Sequence, residues 1–248
     1  MKTALLLCVV LHPLAGDAPP RQLGDCGVRL SPASTYKIPH ALIALETGVV
    51  TDDTVEKWDG RRYERQPKWN LNHTVISALR PSVLWFFQRV APRIGAERAA
   101  AWLAKFEYGN RNVSGPITEY WVDGSLAISP LEQVSFLRRF YTRGLPVQPQ
   151  HADRVRQGLE QDRGTVENSL GIHKLAGNWT RARLNAKTGA TTTAAYRVSW
   201  LVGLLTIDQT DYVFASAVWR PGGGDVDTLD GARAAAKAFI DWKLLPAR

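Results

Sequence analysis

The chain has 248 residues, 45% of them hydrophobic and 22% charged, with nine Trp and a formal net charge of +8. That composition fits one large globular domain or two small ones and excludes a low-complexity polymer. The positive charge forms no basic stripe interleaved with aromatics, which argues against nucleic acid, and the five His make no HExxH or paired spacing, which argues against a protein metal site.

In chain order, "MKTALLLCVVLHPLAGDA" reads in two ways. One basic residue, an apolar run and a small-residue exit fit a secretory signal peptide over residues 1–18. The same run fits a first strand, turned by "HPLAGDAPP" into a second short strand near "RQLGDCGVRL". The apolar run is too short to span a membrane, and no other segment approaches that length. Cys8 and Cys26 are the two cysteines; they pair with each other in an oxidising compartment or stay as two buried thiols.

A helix buried on more than one face follows, with Ile38, Ala41, Leu42, Ala44 and Leu45 apolar, closing at Thr47-Gly48. Residues 51–73 read as loop. "SVLWFFQRV" predicts a short helix stopped by Pro92, "GAERAAAWLAKF" a second over 95–106, and "SPLEQVSFLRRFY" a third over 129–141. Residues 144–182 are polar with little periodicity. "RLNAKTG", "YRVSWLVGLLTI" and "YVFASAVW" predict three strands, and residues 231–245 a closing amphipathic helix. Strands at both ends and helices between them predict an α+β fold: an antiparallel sheet built from both termini, packed on helices, with a mostly helical region over 51–182. Nothing in the sequence marks a linker, so 1–248 reads as a single domain.

The chemistry concentrates in "SPASTYKIPHALIALETGVV", residues 31–50. Ser34 and Lys37 are three apart, on one face if a helix starts near Ser34. A Ser at a helix start is commonly only a cap. The lysine is less ordinary, because its neighbours are Ile, Ala and Leu and no acid follows before Glu46. A buried ammonium without a partner loses its proton, and a neutral amine is a base or nucleophile beside a hydroxyl. Ser82 opens another helix, where it serves as a cap or as a proton relay. Lys187-Thr188-Gly189 on a strand points Lys187 and Gly189 to one face, with Gly189 allowing close approach of a ligand. Each triplet is a weak signal, but S-x-x-K followed by K-T-G is the combination found in serine β-lactamases and penicillin-binding proteins.

From about Leu5 to Pro246 the chain resembles the class D (oxacillinase-type) serine β-lactamases. Ser82-Val83-Leu84 falls at that family's Ser-x-Val, Tyr108-Gly109-Asn110 at its Tyr-Gly-Asn, and Trp121 at its motif tryptophan. "YRVSWLVGLL" matches the strand after Lys187-Thr188-Gly189. The resemblance implies a serine β-lactamase/penicillin-binding-protein-like fold and hydrolysis of small-molecule β-lactams through a Ser34 acyl-enzyme, conferring resistance in the periplasm. It implies that Lys37 takes up CO2 (or bicarbonate) to become an N-carboxylated lysine, with Trp121 donating to it and Val83, Leu84 and Val122 keeping it dry. Ser82 and Lys187 would relay a proton to the leaving nitrogen. Backbone N–H groups of Ser34 and Ala190 would form the oxyanion hole, while Thr188, Gly189 and Arg233 contact the substrate and its carboxylate. Metal and nucleic acid have no part, and the chain is a monomer or homodimer.

Several positions depart from the pattern. Tyr36 replaces the commoner Phe, His40 the commoner Asn and Leu84 a Val, and the stretch from Trp121 to Lys187 is longer than usual. On the hairpin reading of the N-terminus, which we favour, the sequence begins inside a longer product and Cys8 faces Cys26 in a disulfide. The alternative function is a penicillin-binding β-lactam sensor domain, acylated without turnover.

Overall fold

The computed structural model describes residues 4–16 and 18–247; the part of the N-terminal reading that falls on residues 1–3 and 17 lies outside them, as does residue 248. Five antiparallel strands form the main sheet. They are β1 (Leu6–Pro13), β2 (Arg21–Gly24), β5 (Ala182–Thr192), β6 (Tyr196–Ile207) and β7 (Thr210–Pro221), in the spatial order β2-β1-β7-β6-β5. The first strand of the chain therefore pairs with the last, Val10 opposite Ala215 and Cys8 opposite Ala217.

Side-chain alternation divides the sheet between two cores. Val10, Val202, Val213 and Ala215 face a core that includes α1 (Lys37–Glu46), whereas Leu11, Leu201 and Phe214 face the other side. There α6 (Asp230–Asp241) lays down Ala232, Ala235, Ala236 and Phe239. Gly231 lets α6 sit directly on β6, since a Cβ there would lie 2.7 Å from the Ser199 carbonyl oxygen. Both faces being covered explains why β6 and β7 read as nearly continuous apolar runs.

The remaining helices are α2 (Leu84–Ile94), α3 (Ala96–Lys105), α4 (Pro130–Tyr141) and α5 (Pro149–Gly158). The start of α4 is written in its sequence: Ser129 and Glu132 make a reciprocal capping box around Pro130. Three expectations need correction. Pro92 does not stop α2, which continues to Ile94; the proline forfeits one N–H only in the last turn, and the buried face Phe86, Phe87, Val90, Ala91 and Ile94 holds the helix. The closing helix ends at Asp241 rather than 245. Residues 144–182 are not featureless: they hold α5 and a hairpin of β3 (Thr165–Asn168) and β4 (Gly171–Lys174). Asn168 Oδ1 accepts the Leu170 N–H at 2.8 Å and so shapes the hairpin turn. The carboxylate of Glu167, 3% exposed, pins the hairpin to Lys68 at 2.6 Å and Arg80 at 3.2 Å.

Cys8 on β1 and Cys26 form a disulfide across a sequence separation of 18. Closing a loop of that size removes unfolded-state entropy worth about 3 kcal/mol. Replacing both cysteines by Ala is expected to lower the denaturant midpoint accordingly, and reductant is expected to lower the wild-type midpoint but not that of the double variant. Identical midpoints for all three samples would show that the link contributes nothing.

Among the described residues no helix is long and apolar enough to cross a membrane, and no group of three or more His, Cys, Asp or Glu is placed to hold a metal ion.

Candidate active site

Ser34 does not stand in an α-helix but in a 3-10 turn, Ala33–Tyr36, that runs into α1. A 3-10 turn eclipses residues three apart, which brings Ser34 and Lys37 into line. The Lys37 amine lies 2.8 Å from the Ser34 hydroxyl oxygen. Ala33, at φ 49°, occupies the left-handed region that a residue with a Cβ adopts only when its surroundings hold it there. Those surroundings are visible: Ser31 donates to the Trp121 carbonyl at 2.8 Å, the Ser31 carbonyl accepts the Trp200 indole at 2.9 Å, and Thr35 is held by Pro32 and Gln133. Neither Ser34 nor Ser82 is a helix cap; the caps of α1 and α2 are Tyr36 and Val83.

Lys37 is fully buried and, among the described residues, no carboxylate pairs with it. Its amine sits 5.3 Å from the centre of the Phe87 ring; His40 packs on that ring at 5.2 Å and on Tyr36 and Trp121 at 5.3 Å. Burial alone lowers its pKa from the usual 10.5 to about 7, so a substantial neutral fraction exists near neutrality. The Tyr36 hydroxyl finds its partner in Tyr120 at 2.5 Å, and burial raises its pKa well above the usual value. The Trp121 indole N–H is buried with no partner.

Opposite this turn, the Lys187 amine donates to the Ser82 hydroxyl and to the Thr188 carbonyl at 3.0 Å. Burial pushes the Lys187 amine well below its usual range, the charge on Lys37 adds to this, and Glu167 opposes it. Ser82 too has a positive φ, 54°, and its hydroxyl accepts from the Lys187 amine. At Gly189 a Cβ would lie 3.0 Å from the Pro32 carbonyl, the Thr35 amide and the Thr35 methyl, so a side chain there would push β5 away from the Ser34 turn by a few tenths of an ångström.

The result is a cavity of about 170 Å³ lined by Ser34, Ser82, Thr188, Gly189 and Ala190, with Leu84 and Val122 on one wall. Trp69, Asn168, Ser169 and Thr228 complete it; sequence reasoning missed all four. The loop around Trp69 and the short hairpin carrying Asn168 and Ser169 offer no periodic signal. Tyr108 and Asn110 support rather than line the cavity. Tyr108 is fully buried with its ring 6.1 Å from that of Tyr36, and exposed Asn110 ties its loop to Ser125 and Ala127. Arg233 is set apart from the others: it is exposed, its guanidinium is held by Asp227 at 3.1 Å and Asp230 at 2.9 Å, and it borders a neighbouring cavity beside His173.

Two serine hydroxyls that open on one cavity, each hydrogen-bonded to a buried lysine, are the groups that acyl transfer uses. The family described as "Penicillin binding protein transpeptidase domain" matches residues 14–241. This chain belongs to that family, among the class D β-lactamases. It is 36% identical to the β-lactamase OXA-48 of Klebsiella pneumoniae over 201 residues, 81% of this chain and 68% of that protein. The solved structure of BPu1 β-lactamase superposes with a TM-score of 0.81 at 28% identity, covering 98% of this chain and 94% of that one. The regulatory protein BlaR1 of Bacillus licheniformis is also similar, 34% identical over 191 residues, 75% of this chain but only 29% of that protein. The class D members thus include both an enzyme and a regulator among their relatives. The serine β-lactamase/penicillin-binding-protein-like fold, with its sheet drawn from both chain ends, is the one observed here.

Proposed function

We propose that this chain hydrolyses β-lactam antibiotics through a Ser34 acyl-enzyme, with N-carboxylated Lys37 as general base, and so confers resistance. The observation that carries the reading is the Lys37 amine, buried without an acid and 2.8 Å from the Ser34 hydroxyl. Its dry setting favours the neutral form, which is the form that reacts with CO2, and the partnerless Trp121 N–H fits the carboxyl group that would result. Once carboxylated, Lys37 supplies a carboxylate base inside an otherwise apolar box.

Ser34 then attacks the lactam carbonyl, and the C–N bond of the ring breaks. Backbone N–H groups of Ser34 and Ala190 are assigned to the developing oxyanion. Lys187 and Ser82, already hydrogen-bonded, are assigned the proton transfer to the leaving nitrogen. Thr188 and Gly189 line the floor where the substrate lies. For Arg233 to take the substrate carboxylate it must leave Asp227 and Asp230, so we assign it no contact in the resting arrangement. The disulfide suits an oxidising compartment, in keeping with export to the periplasm.

One feature favours a second reading, a sensor that is acylated and stays so. Leu84, bulkier than the Val usual there, lines the cavity, and a larger side chain at that position leaves less room for hydrolytic water; the likeness to BlaR1 points the same way. Turnover of a chromogenic cephalosporin with and without bicarbonate separates the two. Repeated turnover that rises with bicarbonate is expected, whereas a single burst supports the sensor, and bicarbonate-independent turnover removes the role of Lys37. The pH dependence has a definite sign. Carboxylation releases one proton from the neutral amine and two from the ammonium. At fixed dissolved CO2 the carboxylated fraction therefore falls as pH falls, and falls more steeply below about 7.

A further inference from the structure

His40 is 1% exposed, and among the described residues both of its ring nitrogens lack a hydrogen-bond partner. A buried polar group in that state costs free energy, so its presence calls for a reason. It does not line the Ser34 cavity, so a substrate there does not satisfy it. Its ring is packed on all sides by aromatics: Tyr36 and Trp121 at 5.3 Å and Phe87 at 5.2 Å between centroids. The Lys37 amine lies 5.3 Å from that same Phe87 ring. His40 follows Lys37 by three residues on α1, so the two side chains share a helix face and lean together toward the N-terminus. Burial, with the charge on Lys37 beside it, holds His40 at about 3, so the imidazole is neutral and presents one N–H.

The box around Lys37 therefore contains an amine, an indole N–H and an imidazole N–H, and the latter two have no partner. What these donors lack is an acceptor. We infer that His40 is a positioning residue for carboxylated Lys37, its ring N–H donating to an oxygen of the added carboxyl group and so retarding loss of CO2. The inference rests on the proposed carboxylation. In that step the neutral amine and CO2 form one N–C bond, an electron pair of one C=O moves onto oxygen, and one proton leaves the nitrogen for water. Such a donor favours the carboxylated state over the free amine, because the carboxylate brings two charged acceptor oxygens where the neutral amine has a single lone pair on its nitrogen.

The test is 13C NMR of the full chain titrated with 13C-bicarbonate. The wild type is expected to give one carbamate resonance that is absent from Lys37→Ala. His40→Phe is expected to raise the half-saturating bicarbonate concentration by about tenfold or more, the effect of losing one hydrogen bond to a charged group. His40→Asn, which keeps an N–H, is expected to stay closer to wild type. Melting temperatures without bicarbonate report packing separately. In the wild type itself, a 15N-labelled imidazole N–H is expected to shift on adding bicarbonate, a readout that needs no variant. An unchanged half-saturation in His40→Phe, equal losses in the Phe and Asn variants, or an unmoved imidazole N–H would overturn the role of His40 while leaving carboxylation standing. Absence of a carbamate resonance from the wild type would overturn both.

Discussion

Lys37→Ala is expected to take up one equivalent of a β-lactam on Ser34 and then stop. The variant keeps the Ser34 turn, because that turn is fixed by Ser31, Thr35 and Gln133 rather than by the lysine. It also keeps the leaving-group side, where Lys187 and Ser82 stand. What it loses is the amine 2.8 Å from the Ser34 hydroxyl oxygen, in a box that Phe87, Tyr36, His40 and Trp121 line. The His40 imidazole that remains is held at about 3 and is too weak a base to replace the lysine, so deacylation should slow by roughly the 10²–10⁴-fold that a positioned general base contributes. Acylation slows as well, but a strained lactam reacts in one irreversible step, so over time the adduct accumulates. Intact-mass spectrometry after mixing with penicillin is expected to show the wild type regenerated and the variant persistently heavier by one drug molecule. A variant that turns over like the wild type would end the role assigned to Lys37. A wild type that itself remains fully acylated would move the assignment to the sensor.

The parts of this site that could be read from sequence are those whose spacing is set by one element. Ser34 and Lys37 are coupled by the i, i+3 geometry of a single turn. Lys187 and Gly189 share a face because a strand repeats every two residues. Even there the local structure differed, a 3-10 turn in place of the first turn of α1, without changing which groups meet. The sheet was legible because burial on both faces leaves the middle of β6 and β7 nearly continuously apolar.

What stayed hidden depends on contacts far apart in sequence. Asn168 and Ser169 reach the cavity only because Glu167 is clamped by Lys68 and Arg80, some 90 residues earlier, and four-residue strands carry almost no pattern. Trp69 ends a single 3-10 turn, Pro67–Trp69, and its indole donates to the Pro81 carbonyl at 2.9 Å. For Arg233 the acids at 227 and 230 are plain in the sequence, yet only the fold shows that they close on the guanidinium and leave it outside the Ser34 cavity. His40 looks in sequence like a simple exchange for Asn. Its meaning lies in two nitrogens that nothing in the fold satisfies.

Lys187→Met is expected to abolish turnover by the opposite route, with no acyl-enzyme to trap. Met fills most of the volume of the lysine stem and leaves β5 in place, so Gly189 still closes on the Ser34 turn. The amine that holds the Ser82 hydroxyl is gone, and with it the path for a proton to the leaving nitrogen. The acylation rate should fall by about 10²–10⁴-fold, read as slow single-turnover bleaching with the protein mass unchanged. Stability argues that this is a loss of chemistry and not of fold. The folded chain holds Lys187 well below 10.5 by burial, whereas the unfolded chain carries the proton up to that value. Between the folded value and 10.5 the unfolded state binds more protons, so the wild type gains stability as pH rises through that window. The Met variant has no such group, and at neutral pH it should be at least as stable as the wild type, since the cost of burying that amine is removed. A variant that acylates at the wild-type rate would separate Lys187 from the proton transfer. One that melts well below the wild type at neutral pH would show that the buried amine holds the strand pair together and not the reaction.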